Sequence, residues 1–104
     1  MSNITNVYNK VYFTNFVKNH KYVVLDCYAD WCGPCKRIAP LFNHLAFEHQ
    51  NVRGAKFNVD SDDELVESLK IQAMPTFILF KDGTEVDRFE GASEDKLRKF
   101  FETQ

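Results

Sequence analysis

The 104-residue sequence has no long apolar run, no excess of basic charge and only three cysteines. Each shortage excludes something. No segment reaches the roughly 20 apolar residues that a membrane-spanning helix needs. The first ten residues, MSNITNVYNK, are polar, and no apolar stretch follows that could form the core of a secretion signal. The expectation is a soluble, cytoplasmic protein. Thirteen Lys and Arg stand against fifteen Asp and Glu, a formal charge of −2, which argues against a nucleic-acid binder. No like-charge run resembles a tail; Asp60-Ser61-Asp62-Asp63-Glu64 reads as a solvated helix start. Three cysteines are too few for a secreted disulfide scaffold. Repeats, low-complexity tracts and linkers are also missing, so residues 1–104 read as one domain.

What is present suffices for a core. Hydrophobic residues make up 44% of the chain, aromatics 14%, and ten residues are Phe. Tyr12, Phe13, Phe16 and Val17 follow helical spacing and predict a helix near 10–19. YVVLDCY, residues 22–28, is an almost unbroken run of β-formers and predicts a strand buried on both faces. A helix follows from about Gly33, with Ile38, Leu41, Phe42 and Leu45 on one stripe and Pro40 as an expected kink. Residues 53–59 alternate as a strand, with Ala55, Phe57 and Val59 on one face. Ser61 and Glu64 read as a capping box for a helix to about Lys70. TFILF, residues 76–80, is a second buried-type strand, Asp82-Gly83 a hairpin turn, and Glu85–Glu90 a return strand whose broken alternation predicts a bulge. Ser93 caps a last helix carrying Leu97, Phe100 and Phe101. Together these elements predict an α/β fold with a mixed sheet, parallel at first and antiparallel at the hairpin.

The chemistry concentrates in ADWCGPCKRIAP, residues 29–40. Cys32 and Cys35 lie between a buried strand and the first turn of a helix. The free N–H groups and partial positive charge at a helix start stabilise a thiolate, so Cys32 is expected to be the more acidic and reactive thiol. Positions i and i+3 are neighbours, and a small adjustment brings two such cysteines to bonding distance. Pro34 suits the first turn because its missing N–H has no partner there anyway. A zinc site needs four ligands, and neither a second CxxC nor a suitably spaced His is present. Haem attachment requires His after Cys35, where Lys36 stands. A purely structural bond would close a trivial loop and stabilise little. A reversible redox couple is the reading that remains strongest.

At Trp31-Cys32-Gly33-Pro34-Cys35-Lys36 the sequence resembles the thioredoxin family. The resemblance extends to Asp26, to Lys56 in KFNVD, to Met74-Pro75-Thr76 and to Gly91-Ala92, and so covers essentially the whole chain. It implies the thioredoxin fold, a central mixed sheet with helices on both faces, and a protein disulfide reductase without a cofactor or metal of its own. Cys32 would attack a substrate disulfide and Cys35 would resolve the mixed disulfide. A flavoprotein thioredoxin reductase using NADPH would restore the dithiol. Disulfide proteins such as peroxiredoxins and ribonucleotide reductase would be substrates, and a monomer is expected. The Gly33-Pro34 dipeptide resembles the reducing branch; an isomerase- or oxidase-type domain and a non-catalytic binding subunit are the alternatives.

The remaining site residues carry two readings each. Asp26 is either an edge carboxylate or, as the family implies, a buried acid that accepts the Cys35 proton. Lys56 is a surface lysine or the partner of Asp26. Trp31 is either core or, directly before Cys32, an exposed contact platform. Pro75 is an ordinary strand start or, as the family implies, a cis residue leaving the Met74 backbone free for substrate. Gly91 is a strand end or, as the family implies, a site of close backbone approach. Cys27 alternates against Asp26 and should be packed and inert. Lys36, Arg37, His20, His44 and His49 read as surface residues. Ala73 stands where some relatives carry a further cysteine, so a second regulatory disulfide is not expected.

Overall fold

A computed structural model describes residues 4–102. Its elements run β1 (Ile4–Val7), α1 (Lys10–Lys18), β2 (Tyr22–Tyr28), α2 (Gly33–Glu48), β3 (Arg53–Asn58), α3 (Asp63–Leu69), β4 (Thr76–Lys81), β5 (Thr84–Glu90) and α4 (Glu94–Phe101), with a single 3₁₀ turn at Val59–Ser61. The five strands form one sheet in the order β1-β3-β2-β4-β5. β1, β3 and β2 are mutually parallel, whereas β4 is antiparallel to both β2 and β5. The fold is therefore the mixed α/β sheet expected from the sequence.

β2 lies between β3 and β4, and its residues 23–27 are all buried. That environment accounts for its lack of a clean polar face. Its side chains divide the core in two. Val23, Leu25 and Cys27 pack with Phe13, Phe16 and Val17 of α1 and Leu65 of α3. Val24 packs on the other face with Ile38 and Phe42 of α2 and Leu97, Phe100 and Phe101 of α4. Asp26 follows Val24 onto the α2 face by strand alternation.

Three expectations need correction. The strand β1 was not foreseen: four residues, ITNV, with only Val7 buried, are too short and too mixed to show alternation. β3 ends at Asn58, and Val59 opens the 3₁₀ turn. The cap of α3 is Asp62, not Ser61: Asp62 Oδ1 accepts from Glu64 N at 3.0 Å and its Oδ2 from Lys10 N at 2.8 Å. The Ser61 hydroxyl instead donates to the carbonyls of Asn58 and Tyr8. A carboxylate next to the serine serves two helix starts at once, which a local capping pattern cannot reveal.

Elsewhere the local chemistry behaves as expected. Asp82 (φ 52°) and Gly83 (φ 85°) both occupy the left-handed region, as a tight hairpin turn with the right twist requires. The β4–β5 register shifts between Leu79 and Phe80, which is the bulge anticipated in the return strand. Pro40, where a kink was expected, lies inside α2, which is one helix from Gly33 to Glu48 and so is not broken there.

α2 lies close over β3 at Gly54, where an added Cβ would stand 2.9 Å from Ala46 Cβ and 3.3 Å from Phe42 Cζ. Neither neighbour can withdraw easily, because both residues are fully buried. Gly54→Ala is accordingly expected to lower stability by about 1–3 kcal/mol, the usual range for overpacking a core. Urea unfolding checks this, and an unchanged midpoint would show that α2 lifts off the sheet at no cost.

Candidate active site

The C-terminal end of β2 delivers the chain directly into α2. Cys32 is the N-cap of α2, with extended backbone (φ −91°, ψ 111°), and Gly33 and Pro34 open the helix. The Cys32 carbonyl accepts the first helical bond from Lys36 N at 3.3 Å. Its sulfur fills the capping position that Ser or Asp would normally occupy, accepting from Cys35 N at 3.2 Å. Cys32 and Cys35 are joined as a disulfide, with Cα atoms 5.3 Å apart. Both are almost wholly buried, so partners reach them only over a small exposed rim.

The sheet registers place the surroundings. Cys27 pairs with Thr76, and Thr76 pairs with Glu90. One residue beyond that row stand Tyr28, Pro75 and Gly91, all at the edge where α2 begins. The Met74–Pro75 bond is cis, and Gly91 N donates to the Pro75 carbonyl at 2.8 Å. Gly91 has φ 97°, a conformation that favours glycine, and Ala92 next to it is half-buried. Met74 packs against the cluster that contains both redox cysteines. Trp31 is 66% exposed, and its indole N–H donates to Asp60 Oδ2 at 3.1 Å. Asp60 was not singled out from the sequence. It lies 29 residues from Trp31, within an acidic run that reads as a solvated helix start, so nothing local marks it.

Asp26 is the anomaly of the core. It is only 2% exposed, and Oδ1 is buried without a hydrogen-bond partner. A cavity of about 130 Å³ lies between it and the surface, lined by Asp26, Tyr28, Ala29, Cys35, Lys36 and Lys56 among others. Burial raises the carboxyl pKa from its ordinary 3.8 to about 7, against a smaller opposing pull from the Lys56 charge. Lys56 stands beside Asp26 in the β2–β3 register, as the sequence reading anticipated for a partner. Among the described residues, however, no ion pair joins them; the Lys56 ammonium lies 4.9 Å over the Tyr28 ring. Cys27 is fully buried on the opposite face, and burial pushes its thiol well above the ordinary value. His44 faces solvent beside Glu48, whereas His20 and His49 are half-covered and lie against Phe16 and Phe101.

A Thioredoxin family profile matches residues 4–103. The chain belongs to the thioredoxin family. It is 42% identical over 89 residues to Thioredoxin-1 of Caenorhabditis elegans, covering 84% of this chain and 77% of that protein. It is 44% identical over 80 residues to Thioredoxin-like protein 1 of Schizosaccharomyces pombe, covering 75% of this chain but only 28% of that longer protein. Among solved structures, one chain superposes with a TM-score of 0.93 at 34% identity and full coverage of both chains. It comes from a study of the thiol-resolving mechanism of yeast mitochondrial 1-Cys peroxiredoxin via the glutathione/thioredoxin systems. With the family and the bonded pair both in place, the thioredoxin chemistry of this chain is dithiol–disulfide exchange at Cys32 and Cys35.

The buried acid has a consequence for stability. Unfolded, Asp26 ionises near 3.8; folded, near 7. Below the first value both states are protonated and the group contributes no difference. Between the two, the unfolded chain loses its proton first, so stability falls as pH rises and levels off above about 7. At about 1.4 kcal/mol per tenfold change, the whole interval corresponds to ~4 kcal/mol. Asp26→Asn should therefore stabilise the oxidised protein, and by about 3 kcal/mol more at pH 8 than at pH 5. Urea unfolding at both pH values measures it; equal gains would mean that the carboxyl ionises normally in the fold.

Proposed function

We propose that the chain is a one-domain, monomeric protein disulfide reductase of the cytoplasm, with Cys32 as the attacking thiol and Cys35 as the resolving thiol. The observation that carries these roles is the capping position of Cys32. Its sulfur already accepts an N–H at the start of a helix. A thiolate in the same place gains a charge-assisted hydrogen bond and the favourable end of the helix dipole. Cys35, one turn further in and beside the Asp26 cavity, lacks that advantage until its proton is removed.

The reaction then follows. The Cys32 thiolate attacks one sulfur of a substrate disulfide; that S–S bond breaks, a mixed disulfide forms, and the first substrate thiol leaves. Cys35 gives its proton to Asp26, directly or through the cavity, and attacks the Cys32 sulfur. The Cys32–Cys35 bond forms and the second substrate thiol is released. Two electrons have passed to the substrate. An acid titrating near neutrality can accept and return that proton, which supports Asp26 in the role.

Substrate would lie across Trp31, Gly33 and Pro34, against the Met74 backbone beside Pro75, and over Gly91 and Ala92. The exposure of Trp31 and the absence of a Cβ at Gly91 favour this surface. An NADPH-dependent flavoprotein thioredoxin reductase would restore the dithiol. Peroxiredoxins and ribonucleotide reductase are the proposed substrate classes; the structural relative from a study of a yeast peroxiredoxin supports the first.

Two measurements test the reading. Cys35→Ser should accumulate a covalent mixed disulfide with a model protein disulfide, whereas Cys32→Ser should form none and lose reductase activity almost completely; accumulation with Cys32→Ser instead would reverse the two roles. Redox titration in dithiothreitol buffers, read by thiol alkylation, should give a strongly reducing midpoint. About 30 mV corresponds to about 1.4 kcal/mol for this two-electron couple, so a midpoint in the isomerase or oxidase range is readily distinguished and would replace the reductase assignment.

A further inference from the structure

Lys56 has two places to put its charge. The β2–β3 register sets it beside Asp26, and Tyr28, two residues along the same side of β2, lies within reach as well. The ammonium takes the second place, 4.9 Å from the centroid of the Tyr28 ring, within the range of a cation–π contact. Asp26 Oδ1 is left buried and unpaired across a cavity that Tyr28, Lys56 and Asp26 all line. An ammonium beside a buried carboxylate is ordinarily a strong attraction, so the vacant pairing requires a competing seat for the cation.

We infer that Tyr28 is a positioning residue: its ring holds the Lys56 ammonium at the mouth of the cavity and so keeps the Asp26 carboxyl free of an ion pair. The inference rests on the proposed role of Asp26 as proton acceptor for Cys35, because a carboxylate tied to an ammonium would be a poor acceptor. Of the groups around Asp26, Lys56 on β3 is the cation whose position decides the matter. Cys35 and Lys36 of α2 and Asp30 of the connecting loop line the same cavity. Cys27, next to Asp26 on β2, points to the opposite face of the sheet, and β4 places the uncharged Phe77 at the adjoining register position. Burial, followed by the Asp30, Asp26 and Tyr8 charges, raises the Tyr28 pKa, so the phenol stays neutral in the working range and the ring remains available.

The test reads Asp26 in the oxidised protein, where Cys35 cannot titrate, so it succeeds or fails independently of the catalytic role. The Asp26 carboxyl carbon is followed by NMR against pH in wild type, Tyr28→Phe, Tyr28→Leu, Lys56→Gln and the double variant Tyr28→Leu/Lys56→Gln. Tyr28→Phe keeps the ring and should leave the midpoint in place. Tyr28→Leu releases the ammonium, and the midpoint should fall by about one pH unit or more, as expected when an opposite charge closes on a carboxyl. In the Lys56→Gln background the same substitution should produce no fall. A fall that persists without Lys56 would mean that the ring only excludes water, and no fall in Tyr28→Leu would mean that Lys56 does not move; either overturns the inference. Wild type supplies a measurement that needs no variant: the Lys56 ε-methylene protons should show an upfield ring-current shift, and an unshifted resonance overturns the inference as well.

Discussion

The structure depends on β2 being buried from both sides. A strand with apolar neighbours above, below and on either edge has one way out, through its C-terminal end, and there the chain turns at once into α2. That junction puts the first cysteine at a helix start and the second a turn deeper, and it aligns the ends of β4 and β5 with them. The redox pair, the cis-proline segment and Gly91 meet because three strands end in register, not because of any affinity among the residues themselves.

A single carboxyl breaks the apolar pattern of that strand. Asp26 costs stability wherever it is ionised, and the fold offers it neither a hydrogen bond at Oδ1 nor an ion pair with the lysine beside it. Buried polar groups satisfied so incompletely are uncommon outside functional sites. Here the acid lies behind Cys35, at a cavity that opens beside Lys56 and Tyr28. The chain surrenders stability at one position and keeps there a group able to exchange a proton near neutral pH. The second buried thiol shows the contrast: Cys27 adjoins Asp26 in sequence, but it faces the α1 side, where burial, helped by the Asp26 and Glu85 charges and opposed by Arg88, pushes its thiol well above the ordinary value.

The exposed rim uses longer connections. Asp60 holds the Trp31 indole N–H, Ser61 beside it reaches the Tyr8 carbonyl, and Asp62 caps α3 while accepting from the start of α1. One short 3₁₀ turn, with Asp62 directly after it, thus braces the tryptophan next to Cys32 and both helices on that face. In sequence this run looks like dispensable surface charge. In the fold it supports the platform beside the cysteines.

The sequence by itself determined the elements whose signal is local. Amphipathic stripes marked α1, α2 and α4, unbroken β-formers marked β2 and β4, and Asp82-Gly83 marked the hairpin. The cysteine spacing at a helix start defined the chemistry, because capping and thiolate stabilisation act within one turn. The family pattern at Trp31–Lys36 and Met74–Thr76 added the surrounding surface. Tertiary structure alone decided what depends on contacts far apart in the chain. β1 exists because β3 offers it an edge, although its four residues carry no alternation worth reading. Asp62 rather than Ser61 caps α3 because it can also reach Lys10, 52 residues away. Lys56 turns to the Tyr28 ring rather than to Asp26 because strand register brings both within its reach, and a choice between two such partners is settled by three-dimensional geometry, for which a linear sequence has no local signature.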